Sequence, residues 1–296
     1  MPSLEIHALS ELRGEAAGLL RERYARQRAA EPLLPEVDDV EPLLPGEGLV
    51  ATSGGAAVAY LGGAVEDDVG WVRFAGCAAS EPEANRDLFA KLAGSWEVTR
   101  FQVAVPAGDE ALRDAFFRLA FGCQAVWAIR EPERVEPVGF GGTIRRATAD
   151  DADAAFRVVQ VLYGHQAATP SFSGLTTPSR EQTLQETLEC LADDRWVELV
   201  AERDGRVVGW LSLYRRPEGD LRVPPRNVDV AFAATLEDVR GDGVGLALTQ
   251  YALNWAAEHG CTSVTVDWRM VNLLSSRFWP RRGFRPQYLR LYRAVP

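Results

Sequence analysis

Paired cysteine is the first thing this sequence lacks. Its four cysteines, Cys77, Cys123, Cys190 and Cys261, are scattered and never spaced as Cys-x-x-Cys. That excludes the usual zinc spacings and offers no disulfide framework. No metal is expected, and the thiols read as small reduced hydrophobes. Long apolar runs are missing too: no stretch reaches the roughly 18–20 apolar residues that a membrane span needs. Met1–Ser10 has no basic segment followed by an apolar run, so it does not read as a signal peptide. Nor is there an excess of positive charge. Asp and Glu outnumber Lys and Arg by 42 to 32, a formal net charge of −10, and such a surface repels phosphate backbones. The expectation is a cytoplasmic protein with neither membrane nor nucleic acid as partner.

What is present is an ordinary globular composition, 47% hydrophobic and 25% charged over 296 residues. That length suggests two domains, and either half is long enough to bury its own core. Pro132, Pro137, Gly139, Gly141 and Gly142 cluster in Glu131–Gly142, the composition of a linker. The expected division is therefore residues 1–138 and 139–296. A faint duplication supports it. Phe116–Phe121 closes the first half as Trp279–Phe284 closes the second, and in the same alignment Gln124 falls on Gln287 and Arg130 on Arg293. Each segment reads as a helix end, a turn and a final strand.

The order of elements is the same in both halves. In the first, apolar spacing gives a helix over Ser10–Ala30, ended by Pro32 and Pro35. A hairpin follows over Leu49–Leu61 around Gly54-Gly55, then a strand over Trp71–Cys77, a helix over Arg86–Ala93 and strands over Phe101–Val105 and Ala125–Arg130. In the second, Ile144–Arg146 is a short strand and Thr148 with Asp151 forms a capping box. A helix covers Ser179–Ala192, and Val197–Leu213 is a hairpin turning at Asp204-Gly205, a type I′ pair. Val228–Ala234 is a strand, Gly245–His259 a helix capped by Gly260, and Val264–Trp268 another strand.

Between that strand and that helix lies Arg240-Gly241-Asp242-Gly243-Val244-Gly245. Alternating glycines let the backbone turn tightly and approach an anion closely. The N–H groups of the first helical turn then point at it, aided by the helix dipole, and Arg240 adds a positive charge suited to phosphate. A dinucleotide fingerprint would need glycine where Leu246 stands, and a nucleoside-triphosphate loop would need Gly-Lys-Ser/Thr. A glycine-rich turn without a ligand remains the bland alternative.

The remaining pattern, Arg-x-x-Gly-x-Gly, resembles the pyrophosphate-binding motif of the GNAT superfamily of N-acyltransferases. The element order from Ile144 to Arg293 fits that family. So do Asn272, Ser275, the aromatic pair Phe278-Trp279 and Gly283-Phe284 after the fifth strand. The resemblance implies an α/β (α+β) fold of two tandem GNAT-like domains, each a mixed, central, strongly twisted sheet flanked by helices. It implies acetyl-CoA or another acyl-CoA as co-substrate and a small-molecule or peptide amine as acceptor, and it leaves room for a homodimer. The implied cofactor contacts are Ala233, Ala234 and Thr235 at the end of a splayed strand, Arg240, Gly241, Asp242, Gly243, Val244, Gly245 and Leu246 in the loop, and Asn272 and Ser275 beside the pantetheine arm. The first half lacks the loop. Its counterpart, Ala78–Asn85, has no glycine and carries Glu81 and Glu83, so it reads as a degenerate copy without a cofactor site.

The reaction implied is direct attack by an amine on the thioester, with a general base for the amine proton and a general acid for the departing thiolate. The family's usual acid, a Tyr in the aromatic pair, is Trp279 here, and indole supplies no proton at neutral pH. Tyr288 and Tyr292, and behind them Tyr214, are substitutes that read equally as packing residues. Asp229 is the first candidate for the base and Glu202 the second. Asp229 reads equally as an exposed strand residue, and Glu202 as the partner of an arginine. His165, after the first helix of this half, is either substrate-facing or a hydrogen-bonded helix-end residue. His259 reads as a complement to its helix C-terminus. Most of the arginines from Arg277 to Arg293 read as a solvated face, with the cofactor's 3′-phosphate as the alternative role. A non-catalytic acyl-CoA-binding or sensing module is the competing function, favoured by Trp279.

Overall fold

The computed structural model describes Leu4–Phe172 and Leu175–Val295. In chain order the strands and helices are β1 (Leu4–Ala8), α1 (Arg13–Ala30), β2 (Glu47–Ser53), β3 (Ala56–Glu66), β4 (Val69–Val72), β5 (Cys77–Ala79), α2 (Ala84–Ala93), β6 (Arg100–Pro106), α3 (Glu110–Phe117) and β7 (Gly122–Arg130). There follow β8 (Thr143–Arg146), α4 (Ala152–Ala167), α5 (Arg180–Ala192), β9 (Trp196–Arg203), β10 (Arg206–Tyr214), β11 (Asn227–Thr235), α6 (Val244–Glu258), β12 (Ser263–Arg269), α7 (Ser275–Phe278) and β13 (Arg285–Ala294).

These elements form two compact units that do not divide at a single point. Unit 1 comprises residues 1–128, 218–224 and 285–296; unit 2 comprises 129–217 and 225–284. The division expected at 138/139 therefore needs correcting in its connectivity. Two segments of the second half, including all of β13, belong to unit 1. Backbone pairing explains why: β13 runs antiparallel to β6 from Tyr288↔Pro106 to Ala294↔Arg100.

Unit 1 orders its strands β1-β2-β3-β4-β6-β13-β7, with β5 beside β3. The β4–β6 pair is parallel. Helix α1 buries Ala16, Ala17, Leu20 and Tyr24 against Val50, Tyr60 and Ala78 of the sheet, and Leu221 and Tyr288 complete that core. The strand expected over Trp71–Cys77 is two strands, β4 and β5, separated by a turn closed by Gly76 N–H donating to the Arg73 carbonyl at 2.8 Å.

Unit 2 orders its strands β12-β11-β10-β9-β8, and only the β11–β12 pair is parallel. The β9–β10 hairpin turns at Asp204 and Gly205, whose φ values of +52° and +71° suit a type I′ turn. Ser179 and Gln182 form a capping box at the start of α5, and Thr148 and Asp151 form one before α4. Helix α6 buries Leu248, Ala252, Leu253 and Ala256 and ends at Gly260, φ +68°. The segment with linker composition is not a free tether. It has no regular structure between β7 and β8, yet three hydrogen bonds tie it to α6. Val135 N–H donates to Asn254 Oδ1 and Asn254 Nδ2 to the Val135 carbonyl, each at 2.7 Å, and Val138 N–H donates to Gln250 Oε1 at 2.8 Å. Proline and glycine deny this stretch a helix or strand, and two α6 side chains supply the missing hydrogen bonds.

Candidate active site

Strand β11 sets the site. It pairs with β12 only from Asn227↔Ser263 to Val230↔Val266, whereas its pairing with β10 continues to Thr235. A bulge opposite Ser212/Leu213 of β10 marks the point where the two parallel strands part. Beyond it, Ala233, Ala234 and Thr235 present an unpaired backbone edge to a cleft of about 490 Å³, a size normal for a small-molecule site.

One end of this cleft is the loop into α6. Gly241 and Gly243 have φ of +93° and +89°, and a Cβ at Gly241 would meet nothing within 4 Å. These left-handed conformations are open to glycine without cost. They swing the chain so that the N–H groups of Gly243, Val244, Gly245 and Leu246 find no protein acceptor among the described residues; the first in the helix to do so is Ala247, which donates to the Gly243 carbonyl at 2.9 Å. Four free donors at a helix N-terminus make an anion site. Arg240 and Arg282, both in the cleft wall, add positive charge. Arg240 is shared with Glu237 at 3.3 Å. Arg282 lies over the Phe278 ring, 3.9 Å from its centroid, and forms no ion pair among the described residues. Burial, and then Arg281, lower its pKa from the usual value.

The corresponding helix start in unit 1 is closed. At α2 the N–H groups of Ala84, Asn85 and Arg86 donate to the carbonyls of Glu81, Pro82 and Glu83. Glu83, which ion-pairs with Arg86 and Arg118, adds a carboxylate there. Nothing at that turn suits a pyrophosphate.

Of the twelve expected cofactor contacts, Ala233, Ala234, Thr235, Arg240, Gly241, Gly243, Val244, Gly245, Leu246, Asn272 and Ser275 line the cleft. Asp242 does not; its carboxylate turns to Arg203, at 2.8 Å. The four residues expected to move protons do not line it either. Asp229 is buried, accepting from Arg216 Nε and Nη2 at 2.9 and 2.7 Å and from Thr265 Oγ1 at 2.6 Å. Those bonds lock the side chain in the wall between β11 and β12. Glu202 accepts from Arg145 Nε at 2.9 Å. Tyr288 and Tyr292 are on β13, in unit 1, and burial pushes the Tyr288 phenol up to about 12. Tyr214 lies at the end of β10 with its ring against Trp196.

Trp279 does line the cleft, packed edge-on against Phe278 and Phe284, so the position of the family's usual acid is an indole. Three further lining residues come from α4: Val161, Leu162 and His165. With the buried Val158 they fall at i, i+3, i+4 and i+7, a single helical face. That spacing was the available sign that His165 points inward rather than capping the helix. His165 Nε2 is 3.0 Å from Asn272 Oδ1, the same oxygen that accepts from Leu274 N–H at 3.1 Å and Ser275 N–H at 3.2 Å.

The model of the acetyltransferase (GNAT) family matches residues 162–284, which contain the loop, the splayed strand and the aromatic pair. Over those residues the chain is similar to the GNAT acetyltransferase family. An uncharacterized N-acetyltransferase of Mycobacterium tuberculosis is 32% identical over 105 residues, 36% of this chain and 63% of that protein; the match thus spans less than two thirds of the relative. A GCN5-related N-acetyltransferase from Sphaerobacter thermophilus superposes over 98% of this chain and 95% of its own, with TM-score 0.60 at 15% identity. A tandem GNAT protein from the clavulanic acid biosynthesis pathway covers 99% of both chains, with TM-score 0.51 at 16% identity. The fold of the whole chain is accordingly that of a tandem GNAT protein. The matched residues lie in unit 2 apart from 218–224, and unit 1 has no such glycine loop.

Proposed function

We propose that unit 2 binds an acyl-CoA, with acetyl-CoA as the simplest case, and transfers its acyl group to the amine of a small-molecule or peptide acceptor. The observation that carries this reading is the set of four free N–H groups opening α6, facing the same cleft as the unpaired edge of β11. The first suits a pyrophosphate. The second suits an extended amide-bearing arm, which adds to a strand edge through backbone hydrogen bonds. Ala233, Ala234 and Thr235 hold the arm, the loop from Arg240 to Leu246 holds the phosphates, and Asn272 and Ser275 flank the arm on its other side. The acyl group is then directed along the cleft towards α4 and Trp210.

One observation favours a second reading, a binding module without turnover: Trp279 has no hydroxyl to protonate a thiolate. Two measurements on the full chain separate the readings. Release of free coenzyme A from acetyl-CoA in the presence of an alkylamine, an aralkylamine, an amino sugar or a lysyl peptide supports transfer. Firm binding of acetyl-CoA with no release for any of the four supports the module, and no binding removes both.

A further inference from the structure

We propose that His165 is the catalytic base of this cleft and that Asn272 is the residue that positions it, an assignment that rests on the acyl-transfer reading above. The composition of the cleft wall carries the first half. Among the described residues its lining side chains include no Asp, Glu, Tyr, Lys or Cys. Besides His165, its ionisable groups are Arg240 and Arg282, whose guanidinium groups stay charged and offer no lone pair. Asp229 and Glu202 are occupied by Arg216 and Arg145. His165 is thus the lining side chain whose ring nitrogen has a lone pair to take a proton and can return it.

The second half follows from hydrogen-bond bookkeeping. Asn272 Oδ1 accepts from two backbone N–H groups, Leu274 and Ser275, which identifies that atom as the carbonyl oxygen and not the amide nitrogen. A carbonyl oxygen facing an imidazole nitrogen can only accept. The proton of neutral His165 therefore sits on Nε2, and Nδ1 keeps its lone pair. No protein group bonds to Nδ1 among the described residues. This is the arrangement of a base with its orienting partner, in which the ring nitrogen turned away from the partner is free to act. Because Asn272 is itself fixed by the turn into α7, the ring plane of His165 is tied to that turn. Asn272 was expected beside the pantetheine arm; its carbonyl side belongs to His165, which leaves its amide side for the arm.

The step balances without any further reactant. The lone pair of the amine nitrogen attacks the thioester carbonyl carbon, and the C–N bond forms. The proton leaving nitrogen passes to Nδ1 of His165. The C–S bond then breaks, its electron pair leaving on sulfur. The imidazolium of His165 returns the proton to the thiolate, so that amide and free thiol depart and the ring is neutral again. One group serves as base and then as acid, which accounts for a cleft with Trp279 where the family places a tyrosine.

The test uses the full chain, acetyl-CoA and whichever of the four probe amines gives the fastest release of coenzyme A. His165→Ala is expected to lower kcat about 10²- to 10⁴-fold, the usual contribution of a positioned base. Its affinity for acetyl-CoA should stay within about twofold, because no phosphate or pantetheine contact is lost. Added imidazole should restore part of the rate to His165→Ala and none to His165→Gln, whose side chain fills the space. Asn272→Leu should lower kcat while leaving the KM of the amine unchanged. Nitrogen NMR gives a readout independent of the acceptor: with three histidines in the chain, the His165 signal is assignable from the variant, and neutral His165 should carry its proton on Nε2. A proton on Nδ1 overturns the positioning by Asn272. Full turnover by His165→Ala in an active enzyme overturns the base assignment alone. Absence of turnover by the wild type with every amine overturns the acyl-transfer reading and the base together.

Discussion

His165 at the end of α4 and Asn272 in the turn before α7 are joined by a 3.0 Å hydrogen bond although 107 residues separate them in the chain. That contact ties α4 to the turn before α7. It places an imidazole in a cleft whose described lining residues include no carboxylate.

Arg282 is the cleft cation without an acidic partner among the described residues. A phosphate group of the cofactor is the ligand that such a guanidinium fits, and a hydrogen bond to a charged group contributes about 1.5–3 kcal/mol. Arg282→Ala should therefore weaken acetyl-CoA binding about 10-fold or more. Raising the salt concentration should weaken binding to the wild type more steeply than to the variant. Equal affinities for the two proteins in calorimetry would place Arg282 outside the phosphate site.

Asp229 serves the structure. It is buried and holds Arg216 and Thr265, so Asp229→Ala leaves a half-buried guanidinium and a buried hydroxyl without their acceptor. Breaking such a half-buried pair costs about 2 kcal/mol, and for a unit of this size the melting temperature should fall by roughly 4–8 °C. Turnover per folded molecule should survive. A variant with wild-type melting and no turnover would instead make Asp229 the base.

Much of the site was legible in the sequence because backbone chemistry fixed it. Gly241 and Gly243 announce a turn that only glycine makes readily, and the register of Leu246 removes the dinucleotide alternative. The strand and helix on either side follow from apolar periodicity. The proton-transfer residues were not legible in the same way. Whether a carboxylate such as Asp229 faces a cleft or an arginine depends on Arg216, thirteen residues away across a loop, and no local spacing encodes that pairing. His165 and Asn272 meet through tertiary packing alone. The assignment of β13 to unit 1 has the same origin. Its alternation marks it as a strand, but strand partners are chosen by pairing across the fold and not by sequence proximity.

Acid should weaken unit 2 in a defined window. Hydrogen bonds from Arg145, and then from Thr148, hold Asp151 down from 3.8 to about 2 despite its burial. A carboxyl whose folded pKa is depressed stabilises the fold above its unfolded pKa, and that contribution is lost as the pH falls towards the folded value. Stability should therefore drop between about pH 4 and pH 2 as the unfolded chain takes up a proton that folded Asp151 refuses. Asp151→Asn should be less stable than the wild type at pH 6, and the gap should close through that window. Melting temperatures of the two proteins measured from pH 6 to pH 2 check this, and a constant gap would contradict it.

Calorimetry of acetyl-CoA with the wild type and with Gly243→Glu tests the central claim most directly. One acetyl-CoA should bind per chain, because α6 has the free N–H groups that α2 lacks. In Gly243→Glu a carboxylate replaces the open approach to those donors, and affinity should fall at least ~100-fold, the scale set by charge at a helix N-terminus together with lost phosphate contacts. A side chain at this left-handed position costs only about 1–2 kcal/mol, so circular dichroism of the variant should match the wild type. Two sites per chain, or an affinity that Gly243→Glu leaves unchanged, would contradict the assignment of the cleft.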